Sequence, residues 1–179
     1  MATKNHNLSL IDTPLPSAAD MRFGIVVAEW NREITNALAE GAINTLKAAG
    51  ALDQNIEVRY VPGTFELALG AQFFAQYTEV DAVIVLGCVI QGDTRHFDYV
   101  CDGVTQGITQ LQLQWNMPIG FGVLTVNDEQ QALDRCGGKH GNKGDETAAT
   151  VIRMVAMQHE MVEKSTASSD NNVDIKALN

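Results

Sequence analysis

Apolar and polar positions alternate along the chain in blocks, and the blocks change period from one to the next. Phe23–Ala28 (FGIVVA) and Ala82–Ile90 (AVIVLGCVI) are continuous apolar runs, the pattern of strands covered on both faces. Ile119–Val126 is a further strand of this kind, and Ile56, Val58 and Tyr60 alternate as another, ended by Pro62-Gly63. Between these runs the period becomes helical. Ile34, Leu38, Ala42 and Leu46 recur every four residues, with Asn31 placed as N-cap and Gly50 as stop. Phe65, Leu69 and Phe73 mark a second helix. Val100, Val104, Ile108 and Leu111 mark a third, with Gly103 and Gly107 one turn apart beside the stripe. Asn127 with Gln130 has capping-box spacing for a short helix ending near Arg135. Ala148, Ile152, Val155, His159 and Val162 trace the last helix, which places His159 in packing.

Strand and helix therefore alternate four times. Buried parallel strands joined by helices predict an α/β fold, a three-layer α/β/α sandwich of flavodoxin-like style with a four-stranded parallel sheet. Residues 1–20, polar and carrying Pro14 and Pro16, read as an extended N-terminal arm. Residues 21–163 form the single domain, and 164–179 read as a polar, mobile tail, low in hydrophobicity.

Composition narrows the function. The 179 residues suit one domain, and a hydrophobic fraction of 45% is enough for one core. With 22 acidic and 12 basic residues the formal charge is −10, which repels nucleic acid and anionic membranes. Any phosphate site must then be local, made by a few aimed groups. Three cysteines without zinc-type pairing point to a reducing compartment, and no apolar run suits a signal peptide, so the expected location is the cytoplasm. The longest apolar run, 82–90, falls far short of the roughly 20 residues a membrane span needs.

In open parallel sheets ligands bind beyond the carboxyl ends of the strands, so the segments after each strand are where chemistry is expected. After the first comes Glu29-Trp30-Asn31, where Trp30 is either a stacking platform for a flat heterocycle or a loop aromatic. After the second, Gly63 permits close backbone approach and Thr64 is a candidate cap. Glu66 there either complements the helix dipole or accepts from ligand hydroxyls or amines. After the third, Gln91-Gly92-Asp93-Thr94-Arg95-His96 turns from strand into helix and aims free N–H groups at one spot, a phosphate nest without Walker spacing. His96 falls in the same turn, suited to moving protons near neutral pH, or else to a solvated helix start.

After the fourth strand, Arg135 leads into CGGKHGNKG, where Arg135 is suited to clamp a phosphate and Lys143 to add charge. The same stretch also reads as a flexible, solvated connection. His140 and His6 read as solvated. Cys88 stands at a strand end with no base paired to it in sequence, so nothing supports it as a nucleophile.

Four of these segments occur together in one order: VPGTFEL (61–67), GCVIQGDTRHFDYV (87–100), FGVLT (121–125) and DRCGGKHGNKGDE (134–146). Over residues 20–163 the chain resembles the 6,7-dimethyl-8-ribityllumazine synthase family of riboflavin biosynthesis. The resemblance implies condensation of 5-amino-6-(D-ribitylamino)uracil with 3,4-dihydroxy-2-butanone 4-phosphate, releasing phosphate and water, with no cofactor and no metal. It implies that His96 is catalytic and that Trp30 stacks on the pyrimidine. Thr64, Phe65 and Glu66 would hold that substrate and its ribityl chain, and the backbone of Cys88, Val89 and Ile90 would read its edge. Asp93, Thr94 and Arg135 would bind the phosphate. Phe121 and Lys143 would line the pocket from an adjacent subunit.

Trp30 stands where members often have Phe, Thr64 where many have Ala, and Leu67-Ala68 where many have Leu-Pro. The resemblance further implies a homopentamer with sites between subunits. The short GGKHGNKG connection is similar to that of members packing twelve pentamers into a 60-subunit shell, with riboflavin synthase a possible partner. In that setting Gly103 and Gly107 suit either subunit contact or internal packing. Two other readings are a riboflavin synthase sharing this fold, which needs no phosphate clamp, and a non-catalytic flavin-binding or shell protein.

Overall fold

The computed structural model describes residues 7–174, and the side chains of 7–167. Four strands, β1 (Phe23–Ala28), β2 (Ile56–Val61), β3 (Ala82–Ile90) and β4 (Ile119–Val126), form one parallel sheet in the order β2-β1-β3-β4. The helices are α1 (Arg32–Ala48), α2 (Leu67–Tyr77), α3 (His96–Trp115), the short α4 (Glu129–Leu133) and α5 (Lys143–Asp174). Single 3-10 turns at Asp53–Asn55 and Thr64–Glu66 lead into β2 and α2. The expected three-layer sandwich is what forms.

Strand alternation builds two cores. Phe23, Ile25 and Val27 of β1, with Ile84, Leu86 and Cys88 of β3, pack against Leu38 and Leu46 of α1 and Ile152 and Val155 of α5. Val26 and Ala28, with Val83 and Val85, pack on the opposite face against Leu67 and Phe74 of α2 and Val104 and Ile108 of α3. A fully buried Phe or Ile contributes about 1.5–3 kcal/mol by leaving water, so these strand residues dominate the fold. Strand β2 lies at the sheet edge and is correspondingly less buried, with Tyr60 49% exposed.

Several expectations change in detail. The Phe65, Leu69 and Phe73 stripe faces outward, and α2 seats Leu67, Gly70, Ala71 and Phe74 instead. A Cβ on Gly70 would meet Val26 at 2.7 Å, so this small face lets α2 lie against the sheet. Gly103 and Gly107 serve packing within the chain: added Cβ atoms would lie 2.6 Å from the Phe65 ring and 2.8 Å from the Ala68 Cβ. The cap of α4 is Asp128, one residue past Asn127; its carboxylate accepts from the Gln131 N–H at 2.8 Å, and Gln131 Oε1 accepts from the Asn127 N–H. His159 is exposed and does not pack, and His140 is half-buried.

The glycine-rich connection is ordered as an antiparallel hairpin, β5 (Cys136–Gly138) and β6 (Gly141–Asn142). Residues 7–20 of the arm carry no helix or strand and are tied to the body. The Leu8 N–H donates to the His140 carbonyl at 2.7 Å, the Asn142 N–H to Ser9 Oγ at 2.9 Å, and Arg153 to Thr13 Oγ1 at 2.7 Å. Residues 1–6, with His6, lie outside the described residues. Residues 164–174, read as tail, continue α5; no Gly or Pro follows Gly144 to break it. Residues 175–179 lie outside the description. Among the described residues no helix is long and apolar enough to cross a membrane.

Candidate active site

The chain leaves β1 towards one sheet edge and returns to place β3 on the other side of β1, so β1 and β3 flank the topological switch point. Their carboxyl ends diverge there, and a crevice must open between the two connections. A cleft of about 690 Å³ occupies this place. Its walls are Trp30-Asn31 after β1, the segment 62–66 after β2, and Cys88, Val89 and Ile90 at the end of β3. The opening of α3 closes it with Gly92, Thr94, His96, Phe97, Tyr99 and Val100.

Trp30 is 73% exposed at the mouth, so its ring face is open for stacking rather than committed to the core. Asn31 sits at the N-cap of α1 in the left-handed region, φ 59°, and its side chain makes no cap bond. It donates instead to the Cys88 carbonyl at 2.9 Å, joining the two connections across the crevice. Thr64 does not cap α2 either; it is buried against Gly87, with its hydroxyl unpaired. Phe65 and Glu66 are exposed along the cleft wall.

The β3–α3 turn carries Asp93 and Thr94, both exposed, and His96 opens α3 with an exposed imidazole. The first N–H groups of a helix have no intrahelical acceptor, and the helix dipole adds partial positive charge there. An anion meeting this turn finds donors in place, although Asp93 adds opposing charge nearby. Arg95 is held by Asp98 at 3.4 Å, a largely solvated pair worth little to stability.

Cys88 is 2% exposed. Burial, with the Cys136 thiol adding to it, pushes its thiol up to about 12. It is therefore a neutral thiol near pH 7, and its part in the cleft is its backbone.

Asp93, Phe121, Arg135 and Lys143 are not among the residues lining this cleft. Phe121 is half-buried on β4 and packs towards the α2/α3 core. Arg135 is half-buried, its guanidinium donating to the Gln131 carbonyl at 2.8 Å. Lys143 opens α5, paired with Glu146 at 2.7 Å. Sequence reasoning missed Phe97, Tyr99 and Val100 as cleft residues. The signal for Tyr99 was present: it lies three residues past His96, hence on the same helix face.

The family model for 6,7-dimethyl-8-ribityllumazine synthase matches residues 20–159, which contain every element of this cleft. A 6,7-dimethyl-8-ribityllumazine synthase of Parabacteroides distasonis is 58% identical over 156 residues, 87% of this chain and 98% of the relative. Those of Phocaeicola vulgatus and Cytophaga hutchinsonii are each 54% identical, covering 90% and 87% of this chain and 96% and 98% of their own lengths. With a matching family model over most of its length and full-length relatives at more than half identity, the chain belongs to the 6,7-dimethyl-8-ribityllumazine synthase family.

Proposed function

We propose that this cleft condenses 5-amino-6-(D-ribitylamino)uracil with 3,4-dihydroxy-2-butanone 4-phosphate to 6,7-dimethyl-8-ribityllumazine, a step of riboflavin biosynthesis. The observation that carries the reading is the gathering of Trp30, Thr64, Phe65, Glu66, Cys88, Val89, Ile90, Thr94 and His96 around one crevice of a family member.

Two substrates must meet face to face, and holding them so supplies much of the rate. Trp30 stacks on the uracil ring, while Glu66 and the backbone of 88–90 fix its polar edge and side chain. The turn of Asp93 and Thr94 receives the phosphate of the second substrate. The amine attacks the ketone and the imine forms with loss of water. Phosphate then leaves by elimination, and ring closure expels a second water. His96 carries protons in the imine and elimination steps.

Arg135, Phe121 and Lys143 lie outside the cleft of their own chain, and we assign them to the cleft of a neighbouring copy. There Arg135 stabilises the departing phosphate. This arrangement requires an oligomer, read here as a homopentamer, with twelve pentamers in a 60-subunit shell and riboflavin synthase as a partner in the cytoplasm. The tight β5–β6 hairpin, with no insertion between Arg135 and Lys143, supports the shell.

The test mixes purified protein with both substrates and follows the fluorescent lumazine against the uncatalysed reaction. A rate well above background that collapses in Arg135→Ala supports the reaction and the clamp. No rate above background from folded, assembled protein leaves a flavin-binding or shell protein. Native mass separates five subunits from sixty.

A further inference from the structure

Methionine is unevenly placed in this chain. Four of the six methionines, Met117, Met154, Met157 and Met161, line one groove of about 430 Å³ between the end of α3 and α5. The groove lies at the amino end of β4, whereas the cleft lies beyond the carboxyl ends of the strands, so the two are separate. Hydrophobic packing does not by itself call for methionine, since leucine fills nearly the same volume. What the four side chains share beyond leucine is a thioether sulfur.

Helix geometry brings these sulfurs together. Met154, Met157 and Met161 stand at i, i+3 and i+7, so they share one face of α5 over about 10 Å of helix axis. A methionine side chain has three rotatable bonds, and the outer two can reach in towards Met157. In chain order the three are 42%, 49% and 63% exposed, so their sulfurs are not committed to the core. Met117 comes from the α3–β4 connection, which is pinned to α5. The Gln158 amide, next to Met157, donates to the carbonyl of Asn116, next to Met117, at 2.8 Å. The Met117 N–H in turn donates to the Gln112 carbonyl at 3.1 Å.

A thioether is a soft, neutral ligand, suited to Cu(I) and poorly suited to magnesium or calcium. The lining adds no hard ligand in competition: none of the described residues around the groove is ionisable. The formal charge of −10 draws cations to the surface. We infer that this groove is a binding site for a soft monovalent metal ion, Cu(I), held by the thioethers of Met154, Met157 and Met161 with Met117 as a fourth donor. The site is independent of the reaction proposed for the cleft. A thioether has no proton to lose, so binding here does not weaken on acidification, whereas binding to thiolate or imidazole does.

The test takes the full chain with carbon-13 in the methionine methyl groups and titrates it with Cu(I) without oxygen, and with Ag(I) as a redox-stable stand-in. The four methyl signals should move together and saturate at one ion per chain, while the buried Met21 stays still. The Kd read from these signals should be the same at about pH 5 as at about pH 7, and Zn(II) should move none of them. A variant carrying Met154→Leu, Met157→Leu and Met161→Leu should retain one Cu(I) fewer per chain after dialysis. Signals that do not move, that move at separate midpoints, that follow Zn(II) equally, or that lose affinity at low pH overturn the inference. Full retention of Cu(I) by the leucine variant assigns the metal to the cysteines and overturns it as well.

Discussion

The Asn31 side chain donates to the Cys88 carbonyl at 2.9 Å, and this single bond spans the switch point of the sheet. It ties the turn that carries Trp30 to the strand end whose backbone faces the cleft. Asn31 achieves this from a left-handed backbone, φ 59°, which asparagine and glycine tolerate best. Asn31→Gly keeps the backbone and deletes only the tie. We expect its thermal midpoint to stay within a few degrees while kcat/KM falls about tenfold, the cost of roughly one hydrogen bond. Unchanged steady-state kinetics would show that the tie does not position the site.

Trp30 gives a cleaner separation of binding from folding. At 73% exposure it contributes little to the core, so Trp30→Ala should fold normally. Losing a stacking face costs about 1–3 kcal/mol per heterocycle, which predicts a rise of tenfold or more in KM for the pyrimidine substrate. Trp30→Phe keeps a flat face and should stay within about threefold. Equal kinetics for Ala and Phe would remove stacking as its role.

His96 is exposed at the first residue of α3, so its replacement should cost little stability. As a proton carrier it contributes up to about 10²–10⁴-fold to kcat. His96→Ala should lower kcat while leaving the Kd of the lumazine product nearly unchanged. Single-turnover kinetics with product titration would check this. A kcat equal to wild type ends the proposed role.

The strands were legible because a strand buried on both faces can only read as an unbroken apolar run, as Phe23–Ala28 and Ala82–Ile90 do. The inward face of α2 was not legible. Leu67, Ala71 and Phe74 compete with Phe65, Leu69 and Phe73 at the same period, and only contact with Val26 decides that the smaller face goes in. The α4 cap was missed by one residue because Asn127 and Asp128 are both competent caps. The cleft's own wall was readable from strand ends and glycines. The place of Arg135 was not, because the sequence writes its chemistry while the fold holds its guanidinium on the Gln131 carbonyl, away from the cleft.

The outward face of α2 carries a prediction of its own. Leu69, Phe73 and Tyr77 are each half-exposed or more, on one side of α2, a patch of the kind that marks an interface. Phe73 and Tyr77 already pair, with ring centroids 6.1 Å apart. Leu69→Glu places a charge in the middle of this patch without touching either core. Native mass spectrometry should show smaller species than wild type, and activity should fall because the assigned Arg135 no longer reaches a neighbour's cleft. Wild-type mass together with wild-type activity would exclude this face as a subunit contact.

Cys88 carries a prediction about alkaline pH. Its folded thiol is pushed up to about 12 from an ordinary 9.0, by burial first and by Cys136 second. Below about pH 9 the thiol is neutral in both folded and unfolded chains, and its contribution to stability is constant. Between about 9 and 12 the unfolded chain releases the proton while the folded chain keeps it. Stability must then fall as pH rises, by about 1.4 kcal/mol per unit for one group. Cys88→Ala removes this component, so the stability gap between wild type and variant should narrow steadily above about pH 9 in chemical denaturation. In the native protein at neutral pH a thiol-alkylating reagent should leave Cys88 unlabelled, because the thiolate is the reactive form. Rapid labelling of Cys88 at neutral pH, or a stability gap that does not change with pH, would contradict a buried neutral thiol and reopen nucleophilic chemistry at the end of β3.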